Sequence, residues 1–286
     1  MDLCCREDLI SPVAATASTV AEDDGSDEIA CLRARERSTV PNAMYLLLVQ
    51  ANGVNEASRD HICAWIAEVS IEFQFSSVTT ALAINYLDRY LSHHSCSPHR
   101  LQLVGLVAIF VASKFHEKES ISMDEAKEIA ANVFTIADIT RVENEMLSAL
   151  GWKLHAVVPA MYLDTFLRDL KQTRLLQGVC AEISAVHHTS YAQLCALPSI
   201  AAVAIIHTAY DVHGLQKAPL MEYLARVGLP QEADECQRML RMVLPSHLWK
   251  TKKRGRSPSP SGVDEILDEV SSEESDQSEA KRHKCC

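Results

Sequence analysis

The sequence predicts an all-α protein of two tandem five-helix domains with disordered N- and C-terminal tails, and three observations lead there. Glycine and proline number only 9 and 10 in 286 residues, too few for an all-β chain that turns roughly every 8–12 residues. Apolar residues recur at helical spacing through most of the middle of the chain. That middle also reads as one arrangement used twice, a mostly apolar helix wrapped by amphipathic ones. The length allows one or two domains of roughly 100–200 residues, and a content of 48% hydrophobic and 23% charged residues is that of a globular protein.

Each element follows from its own pattern. Ile62, Trp65, Ile66, Val69 and Phe73 form one apolar stripe, and Ala83, Leu87, Tyr90 and Leu91 repeat it. Leu101 to Ser113 is apolar on every side apart from Gln102 and Ser113 itself, which suits the centre of a bundle. Ser122 with Glu125 makes a capping box, and Thr135 with Asp138 a looser version, for two shorter helices. The second carries Ile139, Val142, Met146, Ala149 and Leu150 on one face and stops at Gly151. After the Val158-Pro159 break, helical patterns cover Ala160–Leu170, Leu175–Leu194, Ser199–Gly214, Pro219–Val227 and Ala233–Leu244.

Both ends are expected to be disordered. Residues 1–30 hold eight acids against the single base Arg6, and residues 250–286 run from KTKKRGR through SPSPS to an acidic stretch. The expected organisation is an acidic arm over 1–30, a first domain with a preceding helix over 31–154, a second domain over 155–249, and a basic, Ser-Pro and acidic tail over 250–286. Of the net charge of −11, the arm carries most. The nearly neutral middle argues against a nucleic-acid face.

Other classes fall away on chemistry. Ten cysteines come without a CxxC pair or a cleavable signal sequence, so Cys63, Cys180, Cys195 and Cys236 read as reduced core residues. The longest apolar run, Leu103–Ala112, is short of the roughly 18 residues a membrane helix needs. No phosphate loop, nucleophile elbow or HExxH helix is present. His93-His94 and His187-His188 are adjacent pairs, which do not share a helix face as metal ligands would. No catalytic residue, metal or cofactor is expected.

The segments SRDHICAWIAEV, ALAINYLDRYLS, RLQLVGLVAIFVASKFHE and ITRVENEMLSALGWKL resemble the cyclin box in order and spacing, strongly over Ser58–Leu154 and more weakly in the second half. The family's five marker positions are occupied by Arg59, Asp88, Leu103, Lys114 and Glu143. The resemblance implies two five-helix cyclin boxes, with Arg59 and Asp88 paired inside the first and Lys114 and Glu143 facing a cyclin-dependent kinase. Chemistry alone allows plainer readings: a cation at a helix end for Lys114 and a solvated face for Glu143.

Leu3, Cys5 and Glu7 satisfy LxCxE, which resembles the retinoblastoma-binding motif of D-type cyclins. Ile62, Trp65, Glu68 and Gln102 match the family's substrate-docking groove, although Ser58 and His61 stand where apolar residues are usual; core packing is the rival reading of Trp65. In the tail, Lys252, Lys253, Arg254 and Arg256 form a nuclear-import-like run or a solvated linker. Ser257 and Ser259 precede prolines and are candidate phosphorylation sites.

The resemblance thus implies a D-type cyclin of nucleus and cytoplasm. Its partners are a cyclin-dependent kinase and a retinoblastoma-like protein, with room for a kinase inhibitor and a ubiquitin ligase, and with no nucleic acid or membrane. The competing readings are a transcription-type cyclin fold serving a polymerase-associated kinase and a helical enzyme with an unrecognised site.

Overall fold

The computed structural model describes residues 25–51 and 53–251. Among them the chain is all-α, with no strand. A leading helix α1 (Ser26–Glu36) and a single turn α2 (Tyr45–Leu48) precede a first set of five, α3 (Glu56–Glu72), α4 (Ser77–Leu91), α5 (Pro98–His116), α6 (Met123–Ile129) and α7 (Ile136–Ala149). A second set follows: α8 (Pro159–Asp169), α9 (Arg174–Thr189), α10 (Pro198–His213), α11 (Ala218–Arg226) and α12 (Asp234–Val243). No helix among the described residues is long and apolar enough to cross a membrane.

Each set is built on its most apolar helix. In α5 every residue from Leu103 to Ser113 is buried, because α3, α4 and α7 pack around it. Gly105 lets α3 come close, since a Cβ there would lie 2.6 Å from Ile62 Cγ1. In the second set α10 has the same place: Ala201 to Tyr210 are buried without interruption against α8, α9 and α12. Two hydrophobic cores result, one on each central helix.

Three details differ from the sequence reading. Helix α1 begins at Ser26, inside the stretch expected to be a structureless arm. Asp27 and Glu28 lie in its first turn, where the helix dipole favours acids, and Ile29 is fully buried. By packing, Ile29 and Leu32 belong to the second core although they precede the first in sequence. The pattern read as one helix over Leu175–Leu194 stops at Thr189 and resumes as a 3-10 turn over Tyr191–Gln193. Cys195, just beyond that turn, is exposed, whereas Cys63, Cys180 and Cys236 are buried.

Candidate functional site

Arg59 sits at the start of α3 because the chain closes that helix end with a capping box. The Asn55 side chain accepts from Ser58 N, and the Ser58 hydroxyl accepts from Asn55 N. Ser58, polar where the docking groove is usually apolar, is thus used by its own helix. One turn in, Arg59 is 1% exposed. Its Nε donates to Asp88 Oδ1 at 3.1 Å and its Nη2 to Asp88 Oδ2 at 2.7 Å, a fork on the next helix. Burial works against the charge, but Asp88 beside it raises the guanidinium pKa well above its ordinary value.

The pair reaches further than the first box. Arg59 Nη1 donates to Asp60 Oδ1 and to the carbonyl of Thr189 at 2.9 Å, and Nη2 to the carbonyl of His188 at 3.2 Å. Five hydrogen bonds are what a guanidinium can give. Two of them satisfy the last carbonyls of α9, and this accounts for that helix ending at Thr189. Asp60 also accepts from Tyr191 N at 3.0 Å, and Asp88 from the Tyr45 hydroxyl at 2.8 Å.

Lys114 and Glu143 meet on the other side. Lys114, in the last turn of α5, places Nζ 2.7 Å from Glu143 Oε1 on α7 and 4.5 Å from the centre of the Phe110 ring. With the lysine 45% exposed, such a pair contributes only about 0–1 kcal/mol, so folding alone gives little reason for it. The chain leaving α5 is pinned by Glu117, whose Oε1 accepts from Ser76 N at 2.9 Å and from the Thr79 hydroxyl. Burial opposes it, but those hydrogen bonds hold the Glu117 carboxyl below its usual range. Since Thr79 gives its one proton to Glu117, His116 Nδ1, 2.8 Å from Thr79 Oγ1, is the donor of that contact.

Two further residues were not singled out from the sequence. Glu117 needed the fold, because its partners lie some forty positions earlier. Trp152 is 71% exposed just past α7, in a left-handed conformation at φ 59°; a large aromatic directly after the Gly151 helix stop is the signal that could have found it.

The four groove residues do not make one exposed surface. Ile62 is buried against Gly105, Trp65 is half-buried against the first core, and Glu68 and Gln102 are exposed. Leu3, Cys5, Glu7, Ser257 and Ser259, with the basic run Lys252 to Arg256, lie outside the described residues. Among the described residues, no three His, Cys, Asp or Glu side chains are grouped to hold a metal ion.

The class is therefore an all-α protein built twice on one plan, a five-helix unit around a buried central helix. The chain matches the family model for the cyclin N-terminal domain over residues 27–155. It is 32% identical over 161 residues to Cyclin-A3-3 of Arabidopsis thaliana, covering 54% of this chain and 49% of that protein. It is 25% identical over 197 residues to Cyclin-B2-2 of the same plant, covering 68% and 46%. The chain thus spans about half the length of the curated relatives it matches. Its fold is that of a viral cyclin from herpesvirus saimiri, with a TM-score of 0.67 at 18% identity over 75% of this chain and 95% of that one.

Proposed function

We propose that this chain is a D-type cyclin, a non-enzymatic subunit that binds and activates a cyclin-dependent serine/threonine kinase and brings a retinoblastoma-like substrate to it at the G1/S transition. The observation that carries the reading is the Lys114–Glu143 pair, held at 2.7 Å between the last turn of α5 and the middle of α7 in a cyclin N-terminal domain, with the lysine too exposed for the pair to be explained by stability. The kinase docks on this edge, and both charges exchange their mutual contact for contacts with it. Activation is differential affinity: the cyclin binds best the kinase state whose regulatory helix is turned in, which places the catalytic Lys-Glu pair. ATP and magnesium belong to the kinase, and the complex works in nucleus and cytoplasm. The D-type assignment rests on LxCxE at Leu3, Cys5 and Glu7, a tether that raises the local substrate concentration.

Charge reversal tests the kinase face. Lys114→Glu or Glu143→Lys alone breaks the internal pair, whereas the double swap restores it with both signs reversed. Kinase co-purification is expected to fall at least tenfold in all three variants at unchanged helix content. Recovery in the double swap assigns the pair to folding and ends the reading. Leu3→Ala with Cys5→Ala is expected to lower phosphorylation of a full-length retinoblastoma substrate while sparing a short peptide; equal loss on both removes the tether.

A further inference from the structure

Four serines of the chain stand before proline, Ser11, Ser97, Ser257 and Ser259, and of these Ser97 alone has a base three places on, in Ser97-Pro98-His99-Arg100. It is also the one that lies among the described residues, in the turn that leads into α5. Ser97, Pro98 and His99 are exposed. Ser97 occupies the N-cap of α5 with an extended backbone, φ −73° and ψ 149°, yet its side chain caps nothing. A serine in that position ordinarily accepts from an amide of the first turn, and α3, α4, α6 and α7 are each closed in that way. The central helix of the first unit is thus the one left open, and Pro98 in its first turn removes a single donor only.

We infer that Ser97 is a phosphorylation site for a proline-directed kinase that also reads a base three residues on, and that the phosphate supplies the cap α5 lacks. The sequence provides both selections: proline presents no amide donor after the serine, and Arg100 carries a guanidinium for an anionic pocket. The backbone at Ser97 already has the extended form that a residue before proline prefers. Arg100 must move, because the first turn of α5 folds it back beside Ser97, whereas an extended substrate puts it about 10 Å away. Little holds that turn. Arg100 N donates to Ser97 O at 3.0 Å, and the Arg100 side chain pairs with Glu145, both more than a third exposed, a contact that water screens; uncapped helix ends fray. In the transfer, Ser97 Oγ bonds to the γ-phosphorus of MgATP, the bond to the bridging β,γ-oxygen breaks, ADP leaves, and the hydroxyl proton passes to the kinase's catalytic aspartate. The product carries a charge of about −1.5 to −2 and three acceptor oxygens at the positive end of a 19-residue helix. When the turn re-forms, the phosphate accepts from its amides and draws Arg100 from Glu145, closing the segment through which the kinase entered.

The test incubates the folded full-length chain with MgATP and two purified proline-directed kinases, one that requires a base three residues after the serine and one that does not, and maps the phosphate by mass spectrometry. Neither has to be a kinase the chain binds, so the outcome is separable from the kinase reading above. Both are expected to label Ser97, with Arg100→Gln lowering that labelling at least tenfold for the first kinase and leaving it unchanged for the second. The phosphorylated chain is expected to melt about 2–4 °C higher, with slower amide exchange in the first turn of α5. Ser97→Ala, which removes no existing cap, is expected to abolish both gains. Labelling confined to heat-denatured chain, equal loss with both kinases in Arg100→Gln, or labelling of Ser257 and Ser259 with Ser97 untouched overturns the site. An unchanged melt in chain labelled at Ser97 overturns the cap.

Discussion

The two five-helix units close their helix ends by different means. In the first, α3, α4, α6 and α7 each carry a side-chain cap from their own flanking residue, Asn55, Ser76, Ser122 and Thr135. In the second, Thr173 caps α9, and α8, α10, α11 and α12 have no such cap. Proline in the first turn of α8, α10 and α11 removes one amide that would need a partner. Two ends are served from far away. Glu36 of α1 accepts from Ser199 N and Ser199 Oγ at the start of α10, both at 3.0 Å, and from the Tyr162 hydroxyl of α8. Arg59 of α3 serves the end of α9. The first unit is specified locally, and the second is completed by two buried charges from residues 27–155, the span that matches the family.

Removing the Arg59 charge breaks the comparison most severely. Arg59→Ala leaves Asp88 buried without its fork and strips the α9 carbonyls, so a loss of about 3–5 kcal/mol is expected from urea unfolding. Exchange protection in α9 should fall with it. A loss confined to the first unit would show that the bridge between units carries no stability.

Acidity acts on the same junction. Burial, with the Arg59 charge nearby, pushes His188 down to about 4 and His187 well below its ordinary value. The sign is opposite to that of a histidine gaining a partner. Both stay neutral in the folded state while the unfolded chain takes up protons from about pH 6.5, so stability is full above that value and falls as pH drops toward 4. The expected loss is at most about 3 kcal/mol for the drop at His188. Urea midpoints at pH 7 and pH 5 measure it, and His188→Gln should flatten the dependence. Glu36→Gln comes next: it weakens the cap on α10 by about 1–3 kcal/mol, with Ser199 and its neighbours losing exchange protection first.

This division also explains what could be read beforehand. The boxes at Ser122–Glu125 and Thr135–Asp138 and the stop at Gly151 were legible because each is a contact of nearest turns, as are the apolar stripes of α3 and α5. The second unit's helices were legible from periodicity, but the true end of α9 was not, since Arg59 sets it from 130 positions away. The start of helix α1 at Ser26 was missed because acids before an apolar residue fit both a solvated arm and a helix start, and only burial of Ile29 under the second core decides. At the candidate site, the pairing of Arg59 with Asp88 and the choice of Lys114 and Glu143 came from family resemblance, whereas the contact between Lys114 and Glu143 came only from the fold. The roles of Glu36 and Glu117 depend on tertiary neighbours that no short pattern encodes.

The smallest effect sharpens the contrast from the other side. Ser122→Ala removes one half of a capping box whose two hydrogen bonds, Glu125 N to Ser122 Oγ at 3.2 Å and Ser122 N to Glu125 Oε2 at 2.7 Å, are both exposed. Water replaces much of what is lost, and a cost of about 1 kcal/mol is expected. Because the cap touches only its own first turn, exchange should quicken in α6 and nowhere in α8 to α12. It should also add to the Glu36→Gln loss without coupling, since no partner is shared. A coupling of more than about 0.5 kcal/mol between the two would mean that the first unit's caps also support the second, and the division between local and borrowed closure would not hold.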